Sequence, residues 1–170
     1  MKILGFDLGD GESAVTLLDE DSTVEPRVMP LCGKNSLISA VGVKDGRIVI
    51  GEAASVTDGA AEAKVRFKSR YLTDPAASAD VRAFAQGVMN ELTRTQPALM
   101  AEVSRTVVGC PAGWGDGRRE QYAALLESAG FPNVSVVPEP RAAFLYARHA
   151  RGLRVSPESV SYTHLTLPPT

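Results

Sequence analysis

The feature that most constrains this chain is a glycine-containing turn that joins two strand-like segments near its beginning. Residues 2–7 are rich in Ile, Leu and Phe and predict a buried strand, and residues 13–18 predict another. Between them, Gly9, Asp10 and Gly11 interrupt the pattern. The phosphate loops of Rossmann and Walker-type folds open into a helix. The loop predicted here lies between two strands and therefore differs from both of these phosphate loops.

The residues of this turn are suited to binding a phosphate and a metal ion. Asp7 stands at the end of a predicted buried strand, where a carboxylate is costly unless it is paired or holds a cation. The two glycines after it let backbone N–H groups approach an anion closely. This combination is the one that Mg²⁺–nucleotide chemistry uses. A plain hairpin turn explains the same residues when they are taken alone.

The rest of the sequence predicts a mixed α/β fold. Further strands are predicted at residues 24–29, 37–43, 47–50, 105–110 and 134–137, and helices at residues 79–94, 116–129 and 141–151. Asp45 and Gly46 predict a hairpin turn. Asp116 is the predicted N-cap of the second helix, Gly130 ends it, and Pro140 is predicted to start the third.

Two later segments could also carry chemistry. Residues 108–116 (VGCPAGWGD) predict a strand, a loop of small residues around one Trp, and a helix start. Glu139 lies between two prolines at the end of the strand predicted at 134–137, where α/β sheets place their ligand crevices. An ordinary acid at a helix start, worth about 0.3–1 kcal/mol, is the alternative for Glu139, but the proline on each side favours a fixed position over a casual surface charge.

Composition narrows the class of protein. The 170 residues suffice for one domain or for two small lobes that share a core. With 44% hydrophobic and 22% charged residues and a formal net charge of −2, the chain has no basic surface suited to nucleic acid or an anionic membrane. No apolar run approaches the ~18 residues of a membrane span, and no signal peptide precedes the first strand. We therefore expect a cytoplasmic protein that binds neither nucleic acid nor membrane.

The two cysteines predict neither a metal site nor a disulfide. Cys32 and Cys110 lie far apart, outside any Cys/His cluster. We expect both to be small apolar core residues in a reducing compartment.

Taken together, these segments resemble in order and spacing the nucleotide-binding domain of the seventy-kilodalton heat-shock chaperones, the DnaK-type family of actin-like ATPases. Residues 5–9 (GFDLG) are similar to the first phosphate loop of that family. The other similar segments are residues 35–41 with 50–54, residues 110–116 with Arg119, residues 129–131, and residues 139–143. The resemblance runs from about residue 3 to residue 150.

The resemblance implies a fold and a domain organisation. It implies that residues 1–160 form the N-terminal lobe of an actin-like ATPase domain, with a ribonuclease H-like core at 1–32 and 105–158. A smaller sub-lobe is expected to be inserted at about 33–104. The second phosphate loop, second lobe and substrate-binding domain of the family do not follow, and residues 161–170 look non-native. We therefore expect a fragment that binds ATP poorly and has negligible ATPase activity of its own.

The resemblance also implies cofactors and site residues. ATP and Mg²⁺ would lie in a cleft between two lobes, and Asp7 would help to hold the Mg²⁺ through water. The backbone amides expected around the terminal phosphates are those of Gly9, Asp10, Gly11 and Glu12.

Two catalytic groups are expected besides Asp7. A lysine of the sub-lobe would reach the terminal phosphate; Lys68 matches the family pattern better than Lys64, and a solvated charge is the ordinary alternative for either. Glu139 would position or deprotonate the attacking water.

The sequence departs from the family at several of these positions. Asp10 and Gly11 replace two threonines, Arg141 replaces the Thr after Glu-Pro, and Gly115 replaces an Asn. Because Asp10 would repel a phosphate unless a cation intervenes, we expect slow or altered hydrolysis.

The implied function is that of an ATP-hydrolysing, DnaK-like chaperone with ATP or ADP as ligand. Unfolded polypeptides and co-chaperones would bind through other domains. Two alternatives stay open: an actin- or MreB-like filament protein, and a nucleotide-binding scaffold without catalysis. A sugar kinase would need a sugar-binding Asp, for which the sequence offers no convincing candidate.

Overall fold

The computed structural model describes residues 1–21, 25–55, 63–71 and 73–150, and within them the protein is a mixed α/β fold, as predicted. The elements in chain order are β1 (Lys2–Leu8), β2 (Glu12–Asp19), β3 (Arg27–Met29), β4 (Leu37–Ile38), β5 (Ala40–Lys44), β6 (Arg47–Ile50), α1 (Glu52–Ser55), β7 (Lys64–Val65), α2 (Phe67–Arg70), α3 (Pro75–Thr95), α4 (Pro97–Met100), β8 (Val103–Cys110), α5 (Asp116–Ser128), β9 (Val134–Pro138) and α6 (Glu139–Ala150). None of these helices combines the length and apolar character needed to cross a bilayer.

The larger sheet places three parallel strands side by side. Its order is β3-β2-β1-β8-β9, with β4 paired to the start of β2. Strands β1, β8 and β9 are parallel, and β2 runs antiparallel to β1. The carboxyl ends of β1, β8 and β9 therefore lie at one edge of the sheet, together with the turn that joins β1 to β2. Open α/β sheets bind their ligands at such an edge.

The glycine turn joins two paired strands, as predicted. The Gly9 N–H donates to the Glu12 carbonyl at 3.1 Å. A Cβ atom on residue 9 would lie 2.3 Å from that same oxygen, so only glycine fits without moving the turn. Gly11 has open space around it.

The second sheet is built from the middle of the chain. Its order is β6-β5-β7, and the predicted hairpin joins β5 to β6. Asp45 and Gly46 have φ angles of 51° and 73°, the left-handed conformations that a tight two-residue hairpin requires. These three strands and α3 lie within the predicted sub-lobe.

Helix α3 packs against β5 and β6 on one side and α5 on the other. Asp74 begins it by accepting a hydrogen bond from the Ala76 N–H at 2.9 Å. Six apolar residues form a stripe along α3, at the spacing that predicted this helix. Met89 is partly buried, and the other five are fully buried: Val81, Phe84, Ala85, Val88 and Leu92. Burying such side chains stabilises by roughly 1.5–3 kcal/mol each.

One hydrophobic cluster connects α3 to the large sheet. Leu4, Phe6 and Leu8 alternate along β1 and are buried. The Phe6 ring stacks on that of Phe131, which follows α5, with centroids 4.8 Å apart. The segment predicted as a sub-lobe thus has its own sheet but shares a core with the strands around it.

Several local predictions were wrong. Cys110 is buried as expected, but Cys32 is exposed, because it occupies a left-handed turn position (φ 50°) between the bridged residues Leu31 and Lys34. Helix α5 is capped by Gly115, so Asp116 is its first residue and not its N-cap.

Helix α6 also begins earlier than predicted. Glu139 is its first residue and Pro140 its second, because proline is tolerated anywhere in the first turn, where its missing N–H has no partner to lose. The predicted non-native tail at 161–170 lies outside the described residues.

Candidate functional site

A cleft of about 820 Å³ opens at the carboxyl ends of β1, β8 and β9. Four parts of the chain line it: the β1–β2 turn, α2, the loop after β8 with the first turn of α5, and the start of α6. The charged residues among its lining are Asp7, Asp10, Lys68, Arg118 and Glu139. Ionisable groups up to 132 residues apart in sequence therefore share one cleft.

Asp7 occupies the position at the strand end that the sequence indicated. Its two neighbours on β1, Phe6 and Leu8, are buried on the opposite face, so alternation leaves Asp7 exposed at the cleft. Asp7 and Glu139 also border a second hollow of about 510 Å³ over the sheet face that carries Gly5 and Val107. The two acids are thus close to the same part of the sheet.

Lys68 is the lysine that reaches the cleft. It lies on the four-residue helix α2, next to the fully buried Phe67, and only 8% of it is exposed. Its Nζ atom donates to Glu139 Oε1 at 2.6 Å. Lys64, the alternative considered from the sequence, is exposed on β7 and does not line the cleft.

The Lys68–Glu139 ion pair joins the two predicted catalytic groups. The lysine side chain is 10% exposed and the carboxylate side chain 47% exposed. An ammonium that is largely removed from water needs a partner, whereas the carboxylate remains hydrated on one side. The carboxylate can therefore separate from the lysine more easily if another anion takes its place.

The glycine turn is tied to α2 by a side chain. Asp10 Oδ1 accepts a hydrogen bond from the Ser69 N–H at 2.9 Å. This contact joins the two segments predicted to hold phosphate. The Asp10 carboxylate also belongs to a residue in the lining of the cleft.

The four amides predicted to surround phosphate are not equivalent. The Gly9 N–H is engaged within the turn, by the Glu12 carbonyl and by Ser13 Oγ at 3.3 Å, so Gly9 supports the turn and offers no free donor. Within the described part of the chain, the N–H groups of Asp10 and Gly11 donate no hydrogen bond. The Glu12 side chain accepts from Ser36 Oγ at 2.9 Å and does not line the cleft.

Glu139 has room at this position because residue 109 is a glycine. A Cβ atom on Gly109 would lie 3.0 Å from Glu139 Cγ, tighter than ordinary packing. Gly109 is the penultimate residue of β8, and the pairing of β8 with β9 places it beside Val137. The sequence motif contained this glycine, but its role depends on the pairing of two strands.

One aromatic residue, Trp114, lines the cleft, and its ring packs on two tyrosines that do not line it. The Trp114 ring centroid lies 5.1 Å from that of Tyr122 and 5.8 Å from that of Tyr71. Trp114 Nε1 and the Tyr122 hydroxyl are buried and find no hydrogen-bond partner among the described residues. Burial raises the pKa of Tyr122 far above its usual value, so this phenol stays neutral.

Two other groups near the cleft have shifted pKa values. Burial raises the pKa of the Cys110 thiol, so the thiol stays protonated at neutral pH and is a poor nucleophile. Burial also raises the pKa of Tyr71, and the nearby positive charge of Arg118 opposes that rise.

Five lining residues were not among the predicted site residues: Ser69, Pro111, Gly113, Trp114 and Arg118. Ser69 acts through its backbone N–H, which no side-chain pattern reveals. Trp114 was interpreted as a core residue. The only signal for Arg118 was its position in the first turn of the helix predicted after the loop.

The arrangement fits a Mg²⁺ ion that arrives with phosphates. Within the described ranges, no group of three or more His, Cys, Asp or Glu side chains could hold a metal by itself. Mg²⁺ is commonly bound by one or two carboxylates, waters and substrate phosphates. Asp7, exposed at the cleft that Asp10 also lines, fits that mode, whereas Gly11 does not line the cleft.

No protein-family model matches the chain.

Proposed function

We propose that this cleft binds Mg²⁺-ATP and that the chain is the first lobe of an actin-like ATPase domain of the DnaK type. The observation that supports this most is the shared cleft of Asp7, Lys68 and Glu139, at the carboxyl edge of three parallel strands. The opening strands and the strand–helix units after Arg105 also belong to one sheet. That sheet supports the ribonuclease H-like assignment.

Each residue has a role in binding. The Lys68 ammonium would contact the terminal phosphate, and the amides of Asp10 and Gly11 would donate to phosphate oxygens. Asp7 would hold the magnesium ion through water, and that ion would neutralise part of the phosphate charge. The bound cation would also offset repulsion between the phosphates and the Asp10 carboxylate.

In this proposal, separation of the Lys68–Glu139 pair leads to the chemical step. When a phosphate oxygen takes the place of Glu139 at Lys68, the Glu139 carboxylate moves away and becomes free to orient a water molecule or to accept its proton. Phosphoryl transfer relies mainly on positioning and charge stabilisation, so few groups suffice. In the family that this chain resembles, ATP lies between two lobes, so turnover in this proposal needs a second lobe over the cleft.

Nucleotide binding without hydrolysis is the second candidate function. The Asp10 carboxylate lies in the cleft where the family has a threonine, and Glu139 is engaged by Lys68. If the ion pair persists when ATP is bound, Glu139 cannot activate water and the protein acts as a nucleotide-dependent scaffold. Phosphate release separates the two functions, because only the ATPase produces it.

Binding can be measured with the single tryptophan of the chain. Trp114 lines the cleft, so its fluorescence reports on a ligand there. We expect saturable quenching or a spectral shift with Mg²⁺-ATP, and about tenfold weaker binding by Lys68→Ala, the loss of roughly 1.4 kcal/mol. The matched control is Lys44→Ala, at an exposed position on β5. No response to millimolar Mg²⁺-ATP, or equal effects of the two substitutions, would refute the proposal.

The chaperone role extends this proposal to unfolded polypeptide clients. It is tested by ATP turnover of the full-length parent with and without an unfolded peptide. Stimulation by the peptide supports the chaperone, whereas ATP-dependent sedimentation would favour a filament.

A further inference from the structure

Arg118 is the cleft residue whose role is still unassigned. It lies in the first turn of α5 and contributes to the cleft lining. Among the described residues, no carboxylate lies within ion-pair distance of its guanidinium, whereas Lys68 is paired with Glu139 and the neighbouring Arg119 with Asp116. A cation without a carboxylate partner at a cleft is available to an anionic ligand.

The charge balance of the cleft requires such a cation if the ligand is a polyphosphate. Three carboxylates, those of Asp7, Asp10 and Glu139, face two cations in the lining, Lys68 and Arg118. Glu139 already engages Lys68, so Lys68 has to exchange one anion for another when phosphate binds. Arg118 needs no exchange, and its fork of N–H donors matches phosphate oxygens better than an ammonium does.

The surroundings of Arg118 also favour an anion. Helix α5 has 13 residues and its N-cap is Gly115, which has no side chain to accept a hydrogen bond, so the first amides of the helix are left without that partner. Trp114, two residues before Asp116, presents a buried Nε1 without an acceptor among the described residues. Burial raises the pKa of Tyr71, which packs on Trp114, and the positive charge of Arg118 opposes that rise.

We propose that Arg118 is a phosphate-binding residue of this cleft and that it gives the site its preference for polyphosphate over monophosphate ligands. The inference rests on the proposed function and deepens it. Lys68 and the glycine-turn amides would hold one phosphate group, and Arg118 would contact another. A nucleoside monophosphate cannot make both contacts, so it gains less from Arg118.

The test compares Arg118→Gln and Arg118→Lys with Arg82→Gln. Arg82 is exposed on α3, outside the cleft lining, and loses the same charge when it is substituted. Affinities for Mg²⁺-ATP, AMP and inorganic tripolyphosphate are measured by calorimetry and by Trp114 fluorescence, and circular dichroism confirms that each variant is folded.

We expect Arg118→Gln to weaken Mg²⁺-ATP and tripolyphosphate binding about tenfold and AMP binding much less, as loss of a charge-assisted phosphate contact predicts. Arg118→Lys keeps the positive charge but loses the forked arrangement of N–H donors. Its affinity for Mg²⁺-ATP should therefore lie between that of the unsubstituted protein and that of Arg118→Gln. Arg82→Gln should bind like the unsubstituted protein.

The outcomes separate this inference from the proposed function. If the unsubstituted protein binds Mg²⁺-ATP and Arg118→Gln binds it equally tightly, the role of Arg118 is refuted while the proposed function stands. Equal losses of Mg²⁺-ATP affinity in Arg118→Gln and Arg82→Gln would indicate a general charge effect, and they would also refute the role of Arg118. If the unsubstituted protein binds no phosphate ligand, both proposals fail.

Discussion

At the residue scale, the proposed site depends on which of two anions binds Lys68, the Glu139 carboxylate or a phosphate. The ammonium is largely removed from water and is satisfied by Glu139, so a phosphate must displace a carboxylate that already has good geometry. The partly hydrated carboxylate is the member of the pair that can move. If the cleft binds a nucleotide as proposed, the contact that stabilises the pair therefore opposes that binding.

Glu139→Gln is expected to tighten Mg²⁺-ATP binding about three- to tenfold, because the amide keeps the shape of the side chain but removes a charge that repels phosphate and competes for Lys68. Glu120→Gln, at an exposed position on α5, is the control. Calorimetric titration of both variants gives the comparison. Binding that stays unchanged or weakens in Glu139→Gln would contradict the competition.

Tyr122→Phe is expected to stabilise the protein by about 1 kcal/mol near pH 7, because it removes a buried hydroxyl without a partner among the described residues. Denaturant unfolding at equilibrium measures the difference. Tyr146→Phe, at an exposed position, serves as the control. A loss of more than about 1 kcal/mol would show that the hydroxyl is hydrogen-bonded after all.

The same tyrosine predicts a dependence of stability on pH. Burial raises the pKa of Tyr122 in the folded state above its value of about 10 in the unfolded chain. The folded state therefore binds this proton more tightly, so stability is fully present below about pH 10 and falls as the pH rises further. Tyr122→Phe should flatten this alkaline loss of stability. An unchanged slope between about pH 10 and pH 11.5 would contradict the assignment to Tyr122.

At the scale of single elements, the glycine turn links backbone geometry to ligand binding. Gly9 keeps the hairpin closed through its N–H and lacks a Cβ atom for which there is no room. Gly11 has space for a side chain and a free N–H. The two glycines of this short turn thus have different roles: Gly9 holds the turn together, and Gly11 has a free N–H.

Gly9→Ala is expected to destabilise the protein by about 1–3 kcal/mol and to weaken Mg²⁺-ATP binding, because the new methyl group would press on the Glu12 carbonyl. Gly11→Ala is the matched control and should change stability by less than about 0.5 kcal/mol. Thermal unfolding and ligand titration of both variants provide the measurements. Equal losses of stability in the two variants would show that the turn tolerates neither side chain.

Elements with a long, regular pattern were predicted well from the sequence. The apolar stripe of α3 covers several turns, and the β1–β2 hairpin is marked by alternation and by glycines. Helix α2 was not predicted, because four residues are too few to show a helical period. Between the two candidate lysines, Lys68 was favoured because of family resemblance and not because of a local pattern, and Lys68 is the one that lines the cleft.

The site itself could be predicted only in part. Strand ends can be located from apolar runs, which placed Asp7 and Glu139 at the same kind of position. The contacts between Lys68 and Glu139 and between Asp10 and Ser69 span 71 and 59 residues and depend on how α2 packs on the sheet. The only signal for Arg118, its position in the first turn of a predicted helix, did not identify it, because a single arginine there is ordinary on any surface helix.

At the scale of the whole molecule, the middle segment and the large sheet share one hydrophobic cluster. Helix α3 contacts β5, β6 and α5, so it belongs to both parts. The position of α2, and with it Lys68, relative to Glu139 therefore depends on the common core. Stability and the geometry of the cleft are linked through α3.

Phe84→Ala in α3 is expected to destabilise the protein by about 3–5 kcal/mol, because Phe84 is fully buried and packs on Phe67. Hydrogen exchange should show equal losses of protection in β1 and in β5, as one cooperative unit requires. Val43→Ala, at a half-exposed position on β5, is the control. Loss of protection in β5 with β1 unaffected would show that the middle segment unfolds on its own.

A structure determined with Mg²⁺ and a non-hydrolysable ATP analogue tests the central claim most directly. The account predicts the terminal phosphate at Lys68 Nζ, with Glu139 released from the ion pair, Asp7 facing the metal and Arg118 on a second phosphate. An analogue bound elsewhere, or bound in this cleft with the Lys68–Glu139 contact intact and no phosphate near Asp10 and Gly11, would contradict it.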